Sequence, residues 1–156
     1  MNMEGNPLQE AMFEAASDTL ENMAFMEVVP LKDRRDEQKY FSRLEILAPV
    51  EGVMTLIVSP QLSREIAEGL LDPDDEPPPV EMMLDTLAEL LNTIAGGVMR
   101  KLVADDETFT LGLPESFSEG AFELSEPFEL ARFQIDGQAF TLACEGEQLL
   151  KLRSAG

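Results

Sequence analysis

The sequence predicts an α+β fold in which two long helices and one short helix pack on a largely antiparallel β-sheet. Two observations favour this class. Apolar residues recur at helical three- and four-residue steps in the first two-thirds of the chain, and alternating strand patterns fill the last third. There, Asp136-Gly137 is typical of a two-residue type I′ hairpin. The 156 residues, 44% of them apolar, suffice for a core, and we expect a single domain over residues 1–156.

The first third of the chain predicts one helix and three strands. The helix covers Pro7–Met23, and an apolar run at 25–31 indicates a strand. The charged segment 31–39 is expected to be a loop before two paired strands, Tyr40–Ala48 and Gly52–Val58. The apolar face of the helix consists of Leu8, Met12, Ala16, Leu20 and Met23.

A short helix is predicted next, over residues 60–71, with Ser59 as its N-cap and Pro60 as its first residue. The apolar residues Leu62, Ile66 and Leu70 would pack it on the core. The acidic, proline-rich segment 72–79 follows, and we expect an exposed loop that sets the entry angle of the next helix. A contact for a basic patch on a partner is the functional alternative.

The strongest helix signal in the sequence lies at residues 80–104. Prolines 77–79 precede it, and proline is tolerated only in the first turn of a helix. Glu81 at its start, and Arg100 and Lys101 near its end, suit the helix dipole. Its apolar face consists of Met83, Leu84, Leu87, Leu91, Ile94, Val98 and Leu102.

The opposite face of this helix carries Asp85, Glu89, Asn92 and Gly96 within about 60° of one another, and we call it the polar face. An ordinary solvated surface is one interpretation. However, asparagine is a poor helix-interior residue, and each glycine costs about 1 kcal/mol relative to alanine. Gly96 would let a partner's backbone approach, whereas Gly97 points to the flank and would admit a neighbouring helix.

Strands are predicted for the remainder of the chain, with an irregular segment at 116–125. Cys144 falls in an alternating pattern, which favours a buried small residue over a nucleophile. The predicted strands are residues 107–113, Phe128–Ile135, Gln138–Glu145 and residues 148–153.

Composition excludes several classes of function. Eleven basic and 31 acidic residues give a net charge of −20, which disfavours nucleic acid and anionic membranes as partners. Without histidine, Ser-His and Cys-His dyads and imidazole zinc sites are excluded, so carboxylates and amides must do any chemistry. A lone cysteine, no apolar run near 18 residues and no signal-peptide character lead us to expect a cytoplasmic protein.

The spacing Asp85-x3-Glu89-x2-Asn92-x21-Pro114 resembles the signature of the CheC, CheX and FliY chemotaxis phosphatases. The length and the order of elements are most similar to CheX-like members, which carry one site, so the resemblance implies a CheC-like fold. Pro114 would fix a turn rather than contact substrate. In the first helix, Ser17-x3-Glu21 echoes the motif, but residue 24 is alanine where asparagine is required. We therefore expect Ser17 and Glu21 to be plain surface.

The resemblance implies hydrolysis of the aspartyl phosphate of a CheY-like receiver domain. Asn92 would hold the attacking water, and Glu89 would pair with the receiver's lysine. Asp85 would lie at the edge of the site and either orient or repel the receiver. Gly96, which has no side chain, is the further partner-binding residue that we expect on this face. The Mg²⁺ would belong to the receiver, with no cofactor or metal of this chain's own. A metal site at Asp85 and Glu89 is the less favoured alternative, because two carboxylates are few ligands.

The chemistry is reasonable without the resemblance, because phosphoryl transfer from an acyl phosphate needs positioning and charge stabilisation more than a strong base. The alternatives are a non-catalytic module that binds a phosphorylated receiver, related to flagellar rotor switch proteins, and an acidic assembly protein without phosphate chemistry. The resemblance also implies a possible homodimer formed through sheet edges, for which the strands between 128 and 153 are the candidates.

Overall fold

A computed structural model describes residues 6–23, 29–30, 40–69, 79–104, 106–118, 124, 127–135 and 138–153. The helices are α1 (Pro7–Met23), α2 (Pro60–Gly69), α3 (Val80–Leu102) and α4 (Glu147–Leu150), followed by a 3-10 turn at Lys151–Arg153. The strands are β1 (Val29–Pro30), β2 (Tyr40–Ala48), β3 (Gly52–Val58), β4 (Thr110–Leu111), β5 (Glu115–Phe117), β6 (Phe128–Ile135) and β7 (Gln138–Glu145). The predicted α+β class, with two long helices and one short one on a sheet, is confirmed.

The sheet has the order β1-β6-β7-β3-β2-β4, with β5 also on β2, and every described strand pair is antiparallel. The strands β2 and β3 form one hairpin, and β6 and β7 form another. In the second hairpin Ile135 pairs with Gln138, which leaves a two-residue connection, as predicted. The type of that turn is a prediction that lies outside the described residues.

The core lies between one face of the sheet and the helices α1 and α3. The four described residues of the predicted α1 face are buried: Leu8, Met12, Ala16 and Leu20. Phe133 of β6 links the layers, because its ring centroid is 5.3 Å from that of Phe13 in α1 and 5.7 Å from that of Phe140 in β7. These ring contacts hold α1 against β6 and β7, and the buried residues of α3 belong to the same core.

Close packing of α1 against α3 depends on Gly97. A Cβ built on Gly97 would lie 3.1 Å from the Cβ of Ala15, so a larger residue would push the helices apart. On the same side of α3, the ammonium of Lys101 lies 3.3 Å from a carboxylate oxygen of Glu14 and 3.7 Å from one of Asp18. The expectation that Gly97 admits a neighbouring helix is confirmed.

The short helix begins as predicted. The hydroxyl of Ser59 accepts a hydrogen bond from the N–H of Leu62 at 3.0 Å, which makes Ser59 the N-cap before Pro60. The rest of the short-helix prediction (70–71), the loop 31–39, the connector 72–78 and most of the predicted strand 25–31 lie outside the described residues.

The predicted strand 107–113 is wrong in its extent, because only Thr110–Leu111 is strand and β5 begins at Glu115, just after Pro114. Both short strands pair with one edge of β2, and the residues between them form a bulge with one more residue than β2 has over the same length. The N–H of Gly112 keeps the contact by donating to the carbonyl of Glu45 at 2.7 Å. The strand-breaking effect of Pro114 therefore interrupts this edge without ending it.

The predicted last strand, residues 148–153, is also wrong, because the chain forms α4 and a 3-10 turn there. Gly146 adopts a φ of 112°, which turns the chain away from β7. Leu149 and Leu150 are both buried, and a strand would have pointed these adjacent side chains to opposite faces. The side chain of Gln148 fixes the turn by accepting a hydrogen bond from the N–H of Glu51 at 2.8 Å.

The strands expected to offer dimer edges are placed differently from the prediction. The strand β7 lies inside the sheet, between β6 and β3, so it has no free edge. Among the described strands, the outer ones are β1, beside β6, and the pair β4 and β5, beside β2.

Within the described parts of the chain, no helix is long and apolar enough to cross a bilayer.

Candidate functional site

The helix α3 is a rigid support because it is fixed along its length. It begins after Pro79, whose carbonyl accepts the N–H of Met83 at 3.1 Å, and its last turn ends with the N–H of Val103 donating to the carbonyl of Met99 at 2.9 Å. One side packs on the core through Met83, Leu87, Leu90, Leu91, Ile94, Ala95, Val98 and Met99. Leu84 and Leu102, also predicted for this side, are partly buried.

The polar face of α3 presents three exposed side chains: Asp85, Glu89 and Asn92. None of the three makes a hydrogen bond or an ion pair with any residue that the structure describes. Helix geometry spaces Asp85 and Asn92 by about 10.5 Å along the axis. The neighbouring hydroxyl of Thr93 is occupied, because it donates to the backbone carbonyl of Glu89 at 2.9 Å. An amide and two carboxylates are thus available to a partner on a backbone that is itself held in place.

Gly96 does not form the open position that the sequence predicted. It is buried, and the atoms nearest to a Cβ built on it all belong to the guanidinium of Arg100, with Nη1 at 3.3 Å and Nη2 at 3.7 Å. The space above the missing side chain is therefore filled by Arg100. Sequence reasoning assigned Arg100 only to the helix dipole. The contact between Arg100 and Gly96 is predictable from their four-residue spacing, which places both residues on one side of a helix.

The first helix presents Glu21 as expected but not Ser17. Glu21 is exposed, as predicted for surface. Ser17, however, is half-buried, and its hydroxyl is buried without a hydrogen-bond partner among the described residues. A hydroxyl turned inward is poorly placed to contact a partner. Residue 24, where the motif would need asparagine, lies outside the described residues.

Pro114 lies in the bulge between β4 and β5, which fits the prediction that it fixes a turn. Both strands contact α3, so the segment that carries Pro114 packs beside the helix of the polar face. The edge is held by the stacked rings of Phe41 and Phe117, 4.9 Å apart, and by the hydroxyl of Ser42, which donates to the carbonyl of Glu115 at 3.2 Å.

Among the described residues, the remaining chemical groups offer no second reactive centre. Burial, and then the nearby carboxylates of Glu129 and Glu145, raise the pKa of the Cys144 thiol, so this cysteine stays protonated. Its burial confirms the prediction of a small core residue. Across the described segments, no group of three or more Cys, Asp or Glu side chains is arranged to hold a metal ion.

The fold, with helices packed on an antiparallel sheet, is that of the CheC-like chemotaxis proteins. The family model described as "Chemotaxis phosphatase CheX" matches residues 40–138, which is more than half of the chain. The chain belongs to the CheX family. No curated protein matches it in sequence.

Solved structures of this class share the fold. A CheC-like superfamily protein from Shewanella sp. PV-4 is 19% identical, covers 94% of this chain and 100% of its own, and has a TM-score of 0.74. Chemotaxis protein CheX from Vibrio vulnificus is 18% identical, over 86% of this chain and 93% of its own, with a TM-score of 0.73. A CheX–CheY–BeF3–Mg²⁺ complex from Borrelia burgdorferi contains a chain that is 22% identical. The match covers 87% of this chain and 95% of that chain, with a TM-score of 0.69.

Proposed function

We propose that this protein hydrolyses the aspartyl phosphate of a CheY-like receiver domain, with Asn92 positioning the attacking water. The observation that carries the proposal is the pair Glu89 and Asn92, exposed on one face of α3 and unpaired with any described residue. Membership of a family described as a chemotaxis phosphatase supports it. The structurally similar CheX from Borrelia burgdorferi is in a complex with CheY, BeF3 and Mg²⁺, which supports a receiver as the partner.

Asn92 suits the reaction because its side-chain amide can both accept and donate a hydrogen bond without titrating. In the docked complex it would enter the receiver's active site and hold one water in line with the phosphorus. The oxygen of that water forms the new bond to phosphorus, and the bond between phosphorus and the aspartate oxygen breaks. The receiver regains its carboxylate, and inorganic phosphate leaves with the protons of the water. A carboxylate at position 92 would instead be repelled by the dianionic phosphoryl group.

Glu89, one turn before Asn92, would accept a hydrogen bond from the receiver lysine that contacts the phosphate. Such a charge-assisted bond would fix the register of docking and so the position of the amide. Asp85, one turn further towards the helix N-terminus, would contact the edge of the receiver.

The Mg²⁺ that neutralises the phosphoryl group would be supplied by the receiver. The polar face offers the carboxylates of Asp85 and Glu89, and two carboxylates one turn apart are few ligands for a magnesium ion.

The test is turnover. A receiver phosphorylated in vitro is mixed with less than one equivalent of this protein, and the remaining phosphoreceiver is followed with time. We expect the lifetime to shorten and each protein molecule to process several receivers. A protein that binds the phosphoreceiver without changing its lifetime would instead be a non-catalytic binding module. Screening the receivers of the host in this assay also identifies the substrate.

A further inference from the structure

Arg100 extends the polar face by one charged group. At about 100° per residue it lies about 20° from Glu89 and about 80° from Asn92 around the α3 axis. Its guanidinium reaches back over Gly96, with Nη1 3.3 Å from where a Cβ of residue 96 would be. Because Gly96 and Asn92 are about 6 Å apart along the axis, this cation lies about one helical turn from the amide.

The charge of Arg100 is available. In this acidic chain, with 11 basic and 31 acidic residues, the ion pairs of the described segments include those of Arg43 and Lys101. Arg100 is exposed and has no ion pair or hydrogen bond with any described residue. Its neighbour Lys101 lies about 100° further around the helix, on the side facing α1, where it binds Glu14 and Asp18.

Gly96 explains how the cation comes to lie there. Helical side chains lean towards the N-terminus, so the side chain of Arg100 passes over residue 96. Any side chain at that position would meet the guanidinium, because even a Cβ would be 3.3 Å from Nη1. The missing side chain therefore gives the guanidinium a place on the polar face, at the intrinsic cost of about 1 kcal/mol for glycine in a helix.

We infer that Arg100 binds an oxyanion of the phosphorylated receiver, next to the group on which Asn92 acts. This rests on the proposed function and extends it to one more residue. Two sources offer the same chemistry: an oxygen of the phosphoryl group, or a carboxylate of the receiver beside it. A guanidinium matches either through paired N–H donors. It also offsets the repulsion between the phosphoryl group and the carboxylates of Asp85 and Glu89.

The experiment compares Arg100→Gln, Arg100→Lys and Lys101→Gln. Affinity is measured for the receiver loaded with BeF3⁻ and Mg²⁺, where BeF3⁻ stands in for the phosphoryl group, and for the unmodified receiver. Lys101→Gln is the matched control, since it removes the same charge from the next residue but on the side facing α1. Thermal unfolding of every variant checks that the fold is intact.

We expect Arg100→Gln to weaken binding of the BeF3⁻-loaded receiver about tenfold, as for loss of one charge-assisted hydrogen bond at a partly solvated site. Lys101→Gln should stay within about twofold of wild type, and Arg100→Lys should recover part of the loss. A loss confined to the BeF3⁻-loaded receiver identifies the phosphoryl oxygen as the ligand. An equal loss with the unmodified receiver identifies a carboxylate.

Wild-type affinity in Arg100→Gln, or an equal loss in Lys101→Gln, would overturn the inference. Failure of the proposed function is distinguishable from this result. If the wild-type protein binds but does not shorten the phosphoreceiver lifetime, the catalytic proposal fails and the affinities still decide the role of Arg100. If the wild-type protein binds no receiver of the host, both proposals fail.

Discussion

Glu89 and Asn92 lie one turn apart on α3, but we propose different roles for them, Glu89 mainly in binding and Asn92 in catalysis. Glu89 would form its hydrogen bond as soon as the receiver docks, so its loss should weaken binding and also misplace the amide. We expect Glu89→Ala to cost about 1.5–3 kcal/mol of binding free energy, as for a charge-assisted hydrogen bond shielded from water. Calorimetric titration with a BeF3⁻-loaded receiver measures it, and Glu89→Gln separates the charge from the shape. Wild-type affinity in both variants would remove Glu89 from the interface.

Ser17 and Glu21 test whether the protein has one site or two. The hydroxyl of Ser17 is buried, so the double variant Ser17→Ala with Glu21→Ala should leave phosphatase activity nearly unchanged. Removing an unsatisfied buried hydroxyl should also leave stability unchanged or slightly higher. Single-turnover dephosphorylation and urea denaturation provide the two readouts. A tenfold loss of activity would show that α1 also acts on the receiver.

The exposure or burial of individual residues follows from the sequence at some positions and not at others. Exposure of Asp85, Glu89 and Asn92 follows from helical periodicity, because it depends only on which side of α3 packs on the core. Helical spacing places Arg100 on the same side as Gly96, but the burial of Gly96 also depends on the conformation of the long Arg100 side chain, which spacing does not specify. Whether the hydroxyl of Ser17 points inward is likewise set by its rotamer and by packing, which periodicity does not specify.

At the scale of secondary-structure elements, the helix α3 has two adjacent glycines, Gly96 and Gly97, with different surroundings. The atoms nearest to a Cβ on Gly96 belong to the far end of the long Arg100 side chain, whereas a Cβ on Gly97 would meet Ala15 of α1 at 3.1 Å. Both alanine variants gain about 1 kcal/mol of helix propensity. We therefore expect Gly97→Ala to be less stable than Gly96→Ala by about 1–3 kcal/mol, the usual cost of overpacking.

Chemical denaturation of the two variants measures this difference directly, and each serves as the other's control. Equal stabilities would mean that α1 can move away from α3 at little cost, against the close packing described above. Gly96→Leu is a further variant with a functional readout. It should displace the guanidinium of Arg100 and weaken receiver binding while the fold stays intact.

The elements found from the sequence are those whose signal is local. The helix α1 and the hairpin strands β2, β3, β6 and β7 have the predicted bounds, because periodicity and turn residues specify them. The edge strands β4 and β5 pair with β2, which is more than sixty residues away in the sequence, so their signal is not local. Pro114 also interrupts the strand pattern between them. The end of the chain was mispredicted because a run of leucines fits a strand as well as a helix, and Gly146 decides between them.

For the whole molecule, the predicted homodimer remains to be measured. Light scattering after size-exclusion chromatography should give about twice the chain mass of 17.3 kDa. The β4–β5 edge is the first candidate for the interface, since Leu113 is 90% exposed there and Leu47 and Phe117 are exposed nearby. A monomer at micromolar concentration would contradict the prediction. Retention of the dimer by Leu113→Asp would favour the β1–β6 edge.

The central claim is that the amide of Asn92 acts on the attacking water, an interaction made mainly in the transition state. Its loss should therefore lower turnover far more than affinity. The most direct measurement is single-turnover dephosphorylation of a receiver by Asn92→Ala, beside its affinity for the BeF3⁻-loaded form. We predict nearly wild-type affinity and hydrolysis close to the receiver's own spontaneous rate. Substantial catalysis by Asn92→Ala would contradict this role of Asn92 and would mean that Glu89 or Asp85 positions the attacking water.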